Sequence, residues 1–193
     1  NGAGKSTLIK VLTGVYEKDE GEIYLKGLDK AAVIRSPQDA QNLGISTVYQ
    51  EITLCPNLSV AENMYIGRGK NICTNWKKMN EDADKILQAL DIPAKATQQL
   101  SSCSIAIQQM VAIARAVDMD CKVLILDEPT SSLDEQEVEK LFGLMRDLKA
   151  KGVGIIFVTH FLDQVYEVCD KITVLRDGKL VGEYEIKDLP RVK

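Results

Sequence analysis

The chain opens on Asn1-Gly2-Ala3-Gly4-Lys5-Ser6-Thr7, which puts two glycines, a lysine and two hydroxyls into seven residues. Phosphate oxygens need several donors converging at short range. Glycines let successive backbone N–H groups turn inward, a helix starting there adds the positive end of its dipole, and Lys5 adds a full charge. The run matches the end of G-x-x-x-x-G-K-[ST], in which the lysine reaches the β- and γ-phosphates of a nucleotide and the next hydroxyl, here Ser6, ligates Mg²⁺. Taken alone it also fits a Gly-rich turn capping an ordinary helix.

Two further groups have matching chemistry. Asp127-Glu128 follows Val123–Leu126 (VLIL), a short apolar run that reads as a strand buried on both faces of a parallel sheet. The carboxyl end of such a strand is where α/β folds hold ligands. Asp127 there can support Mg²⁺, and Glu128 can polarise an attacking water; a solvated acidic turn is the alternative. His160, the chain's single histidine, follows a second buried run, Gly154–Thr159 (GIIFVT), and would project at the same sheet edge as Asp127. A lone histidine elsewhere is usually a surface or satisfied core residue.

The elements that must position these groups follow from spacing. A helix runs from the glycine loop to about Thr13 and stops at Gly14. Gly21–Lys26 alternates like a short strand. Ser36-Pro37 opens a helix toward Leu43, and residues 45–49 form a strand. Residues 51–119 read as mostly helical: Asn80 is taken as an N-cap, followed by an Ala83, Ile86, Leu87, Leu90 stripe, and Ser104–Val117 forms another helix. Val138, Leu141, Phe142, Met145 and Leu148 give a helix over 135–151. Residues 161–168 are helical and 171–176 extended, and Asp177-Gly178 turns the chain into 180–184 as a hairpin. Strands alternating with helices imply an α/β core with a mainly parallel sheet, interrupted by a helical insert.

Composition sets the outer bounds. Length 193 suggests one domain, and 45% hydrophobic with 27% charged residues is ordinary for a globular chain that buries a core. A net charge of −4 with no basic stripe argues against nucleic acid as a partner. Five cysteines without a Cys-x-x-Cys pair favour reduced thiols acting as small apolar fillers. No apolar run approaches the roughly 18 residues of a membrane span. Trp76 and Met79 are candidates for an interface or for packing inside the helical insert.

With NGAGKST at the start, LILDEPTSSLDEQEV at 124–138 and VTH at 158–160, in that order, the chain resembles ATP-binding cassette proteins. Residues 46–68 and 157–189 are similar to the amino-terminal ATPase half of tandem monosaccharide-importer subunits. The resemblance implies a P-loop NTPase (RecA-like) core at 1–50 and 120–193 with a helical subdomain at about 51–119, forming part of one cassette domain. It implies ATP and Mg²⁺ as cofactors. Asn1, Gly2, Ala3, Gly4, Lys5, Ser6, Thr7 and Gln50 would bind ATP, and Ser6, Gln50 and Asp127 would serve the metal. Glu128 and His160 would be catalytic, and Asp134 would sit in the loop bridging two ATPase domains. The implied partners are a transmembrane permease, a second cassette ATPase domain and, indirectly, a periplasmic or extracellular sugar-binding protein. The implied location is the cytoplasmic face of the membrane.

One departure stands out. The family's signature resembles Leu-Ser-Gly-Gly-Gln, and the aligned stretch here is Cys103-Ser104-Ile105-Ala106-Ile107. Ser104 can still cap the helix, but Ile107 at the third helical position cannot close a capping box or donate to phosphate. The site that this stretch would close on a partner domain is therefore expected to turn over slowly, while the site built on Lys5 and Glu128 stays hydrolytic. Two other readings stay open: a soluble, non-transport cassette ATPase, and a regulatory ATP-binding half. A GTPase is disfavoured, because no Asn-Lys-x-Asp motif occurs. Because the chain opens inside a motif, it is expected to be a fragment that is unstable in isolation and binds ATP poorly.

Overall fold

The structure is a computed structural model that describes residues 2–49, 53–68 and 75–189. Three strands, β1 (Ile45–Val48), β2 (Val123–Asp127) and β3 (Gly154–Val158), form a parallel sheet in the order β1-β2-β3. The VLIL run is central, and its residues alternate between two cores as the pleat requires. Leu124 and Leu126 face one cluster and Ile125 faces another, all three fully buried. Helix α1 (Lys5–Leu12) and helix α2 (Pro37–Asn42) cover the Ile125 face through Ile9 and Ala40. Helix α5 (Ile105–Asp118) and helix α6 (Glu135–Ala150) cover the other through Val111, Ala114, Leu141 and Phe142. Burying a side chain of this size contributes roughly 1.5–3 kcal/mol, so these two faces dominate the stability of the core.

The start and stop of several helices follow their sequence signals. Ser36 accepts from the Asp39 N–H with Pro37 in the first turn of α2. Gly14 ends α1 at φ 72, and a Cβ there would lie 2.3 Å from the Ser36 carbonyl oxygen, so only glycine lets α1 end against the start of α2.

Between β1 and β2 the chain forms helix α3 (Val60–Tyr65), helix α4 (Trp76–Ala89) and α5. Their apolar residues, Val60, Met64, Ala83, Leu87 and Val111, share one buried cluster with β2 and α6. Helix α4 begins earlier than Asn80: Asn75 caps it by accepting from the Lys78 N–H at 3.1 Å, which leaves Asn80 inside the helix. Trp76 stands exposed at its start, whereas Met79 packs against the core.

Residues 21–26 are not a strand. An extended segment needs a partner to complete a ladder, and among the described residues the one backbone–backbone bond this segment makes outside its own turn is from the Ala32 N–H to the Ile23 carbonyl. After β3 come helix α7 (Leu162–Val168) and an antiparallel pair, β4 (Lys171–Arg176) and β5 (Lys179–Glu185). Asp177 and Gly178 both have positive φ (50 and 73), the pair of dihedral signs that a two-residue hairpin turn requires. Among the described residues, no helix is long and apolar enough to cross a membrane.

Candidate functional site

Gly2 and Gly4 both occupy left-handed backbone, at φ 103 and 92. Such a turn aims neighbouring N–H groups to one side and delivers them to the start of α1, where Lys5 is the first helical residue. Lys5 is half-buried, while Ser6 and Thr7 are exposed. The loop is held from behind by the β4–β5 turn: the Gly178 N–H donates to the Ala3 carbonyl at 3.2 Å, and a Cβ on Gly4 would lie 3.3 Å from Gly178 Cα.

Asp127 is the last residue of β2, paired in register with Val158 of β3. Burial raises its pKa above the usual carboxylate range, and the Glu128 charge raises it further. The Lys5 ammonium opposes both, which shows that the lysine and the two acids share one electrostatic neighbourhood. Glu128 carries φ 47, a left-handed conformation for a long side chain and a form of strain that gathers at working sites. Its N–H donates to the Val158 carbonyl at 2.8 Å, which holds it against the strand that precedes His160. His160 Nδ1 then lies 3.5 Å from a Glu128 carboxylate oxygen. Two adjacent parallel strands thus bring Asp127, Glu128 and His160 to one sheet edge, beside the lysine of the glycine loop.

The other expected residues sit elsewhere. Ser104 accepts from the Ile107 N–H at 3.4 Å and caps α5, with Ile105 exposed and Ala106 buried. Ile107 is partly buried and packs against the core. Asp134 caps α6 in a reciprocal box with Glu137. None of these shares a hydrogen bond with Lys5, Asp127, Glu128 or His160 among the described residues. Asn1 and Gln50 lie outside the described residues. A cavity of about 250 Å³ lies between α2, β1 and α5, lined by Thr47, Tyr49 and Arg115 among others, but by none of the four site residues.

Sequence reasoning missed three polar ties around this region. Thr130, buried in the turn after Glu128, donates to Gln164 at 2.7 Å. Asn63, fully buried in α3, organises residues 55–59 through its amide. The Gly178–Ala3 bond is the third; the Asp-Gly turn was visible as a hairpin, but nothing in its spacing indicates what its tip touches.

An α/β sheet with a glycine loop at a helix start and acids at the neighbouring strand ends defines a nucleotide-binding cassette. The family model described as ABC transporter matches residues 1–131, and the chain belongs to that family. It is 53% identical over its whole length to the galactofuranose transporter ATP-binding protein YtfR of Escherichia coli, of which it covers 39%. It is 52% identical to the fructose import ATP-binding protein FruK of Bifidobacterium longum, with 99% of this chain and 37% of that protein aligned. The chain thus spans about two fifths of the length of these relatives. Among solved structures, a nucleotide-free ATP-binding cassette from an ABC transporter superposes with a TM-score of 0.82 at 28% identity, over 96% of this chain and 77% of that one. A cassette in its ADP conformation superposes at 0.81 and 28% identity, over 97% and 80%.

Proposed function

We propose that this chain is the catalytic portion of an ATPase that drives import of a monosaccharide through a transmembrane permease at the cytoplasmic face of the membrane. The observation that carries it is the convergence of Lys5, Asp127, Glu128 and His160 at one sheet edge. The core would comprise residues 1–50 and 120–193, with 51–119 as the helical subdomain. The names of its relatives, which refer to galactofuranose, fructose and ribose, support a monosaccharide as the substrate.

In this reading the Gly2–Gly4 amides and Lys5 hold the β- and γ-phosphates, together with Asn1, Ser6 and Thr7. Glu128 would orient and polarise the attacking water, and His160, 3.5 Å from the Glu128 carboxylate, would act beside the terminal phosphate. Mg²⁺ fits the donor set: Ser6 supplies a hydroxyl and Asp127 a carboxylate, with Gln50 as the third proposed ligand. Among the described residues, no cluster of three or more His, Cys, Asp or Glu could hold a metal unaided. Bound there, Mg²⁺ would neutralise negative charge on the phosphates during their cleavage. Asp134 and the Ser104–Ala106 stretch would face a second cassette domain, and a sugar-binding protein would act indirectly through the permease.

The test is ATPase activity and sugar uptake by the complete protein assembled with its permease, beside a Glu128→Gln variant. Turnover that vanishes with Glu128→Gln supports the reading, whereas equal turnover in both refutes it. A regulatory ATP-binding half is favoured by one observation, Ile107, whose side chain packs inward and offers no donor at the start of α5. That reading requires nucleotide binding without any turnover that depends on Glu128.

A further inference from the structure

Two loops carry the proposed chemistry, one after β2 and one after β3, and each is weakly held on its own. Glu128 sits in strained left-handed backbone. His160 is about half exposed and leans on the Phe161 ring, 4.1 Å away between centroids, itself exposed. Helix α7, which follows His160, has seven residues, no side-chain cap at its start, and Val165 as its buried residue. A helix of that length does not hold itself in water. The ion pairs that tie this region to α6, Glu167–Arg146 and Asp170–Lys149, lie toward its far end and are exposed, where such pairs add little.

The tie nearest the site is different in kind. The Thr130 hydroxyl donates to Gln164 Oε1 at 2.7 Å, from a side chain only 4% exposed. Thr130 follows Glu128 by two residues, and Gln164 follows His160 by four. This short bond therefore fastens the loop bearing the carboxylate to the helix that ends the loop bearing the imidazole. Losing Gln164 leaves the buried Thr130 hydroxyl without its bond, and losing either partner releases α7 from the loop after β2. The Phe161 N–H to Thr159 Oγ1 bond, at 3.1 Å, folds the loop tightly over His160, so a shift of α7 is passed directly to the imidazole.

We propose that Gln164 is a positioning residue: through Thr130 it sets the separation of His160 from Glu128 and so the geometry of hydrolysis. The inference rests on the ATPase reading above. Among the described residues neither side chain hydrogen-bonds to the glycine loop, so its signature is a loss of turnover without a loss of nucleotide affinity.

The test is steady-state ATPase kinetics of the complete protein with its permease. Gln164→Leu and Thr130→Val are each expected to lower kcat about tenfold, as small misplacements of reacting groups do, with KM for ATP within about twofold of wild type. The double variant is expected to be no slower than the worse single, since both remove the same bond. Thr130→Ser keeps the hydroxyl and is expected to restore most of the turnover, which separates positioning from simple loss of folding. Additive losses, a KM that rises as kcat holds, or unchanged turnover in Gln164→Leu would overturn the proposal. Wild type and Glu128→Gln run alongside: absence of wild-type turnover sinks the ATPase reading and this inference together, whereas a Gln164→Leu variant as active as an active wild type sinks this inference alone.

Discussion

Removing the Asn63 amide should loosen a loop eight residues away. Asn63 is fully buried in α3, and its side chain makes three good bonds: it accepts from the Cys55 N–H at 2.7 Å and donates to the Cys55 carbonyl at 2.9 Å and the Ser59 carbonyl at 3.0 Å. In Asn63→Ala, the Cys55 N–H loses its partner, whereas the Cys55 carbonyl keeps the Leu58 N–H at 3.1 Å. An unsatisfied buried group costs about 1–3 kcal/mol, but Cys55 is exposed and water can repair part of the loss, so the low end applies. Adding a small vacated volume, the loop should open about 1–2 kcal/mol more easily. At about 1.4 kcal/mol per tenfold, amide exchange over residues 53–59 should speed up about 5- to 30-fold. Hydrogen-exchange mass spectrometry on the complete protein reads this directly. Asn63→Asp is the control: it keeps the acceptor for the Cys55 N–H but turns an oxygen toward two carbonyls, so at neutral pH it should protect no better than alanine. Exchange in Asn63→Ala that changes less than threefold, or full protection in Asn63→Asp, would refute the reasoning.

Four other outcomes follow from the geometry. Because Asp127's folded pKa is raised, the folded state holds its proton where the unfolded chain has lost it, so this group costs stability as pH rises through that window; Asp127→Asn should melt higher than wild type at neutral pH while losing ATPase activity, and Lys5→Ala should push the Asp127 titration, followed by carbon NMR, further up. Gly14→Ala meets both left-handed strain and the Ser36 oxygen at 2.3 Å, so it should cost upwards of about 2 kcal/mol in thermal or urea unfolding, whereas Gly21→Ala, at φ 85 but with open space around it, should cost only the roughly 1–2 kcal/mol of backbone strain. Burial and a neighbouring aspartate push the Cys121 and Cys169 thiols up to about 11, so at pH 8 only about a thousandth is thiolate and iodoacetamide should label both at least a hundredfold more slowly than an ordinary free thiol, with exposed Cys55 labelled first. Ile107→Gln should raise turnover at the site closed by a partner domain, measured as total ATPase rate of the complete protein; an unchanged rate would remove the reason to treat the two sites as unequal.

The parts of the site that were legible in sequence are those in which one residue type answers to one local need. Gly2 and Gly4 announce left-handed backbone, VLIL announces a strand buried on both faces, and the acids directly after it must fall at a strand end. Ser36-Pro37 and Ser104 cap as their types suggest. What failed depended on partners. Residues 21–26 alternate correctly, yet alternation only says that a strand would have two faces, not that another strand is there to pair with it. Asn80 was a sound N-cap by type, but Asn75 stands five residues earlier and took the role, which local propensity alone does not arbitrate. Thr130 and Gln164 were invisible for a different reason. Their bond exists only because β2 and β3 run side by side, and each residue alone reads as an ordinary polar loop or helix position.

The glycine loop and the hairpin tip that supports it are about 175 residues apart in the chain, joined by the bond from Gly178 to Ala3. Contacts of such separation form late, because the closure entropy of everything between them must be overcome first. On a ribosome emitting roughly 5–20 residues per second, the loop would wait on the order of ten seconds or more for its support to emerge. The glycine loop, made well before its support, is thus among the last segments to reach its final shape, and nucleotide added during synthesis should find a half-built cradle until the closing hairpin arrives.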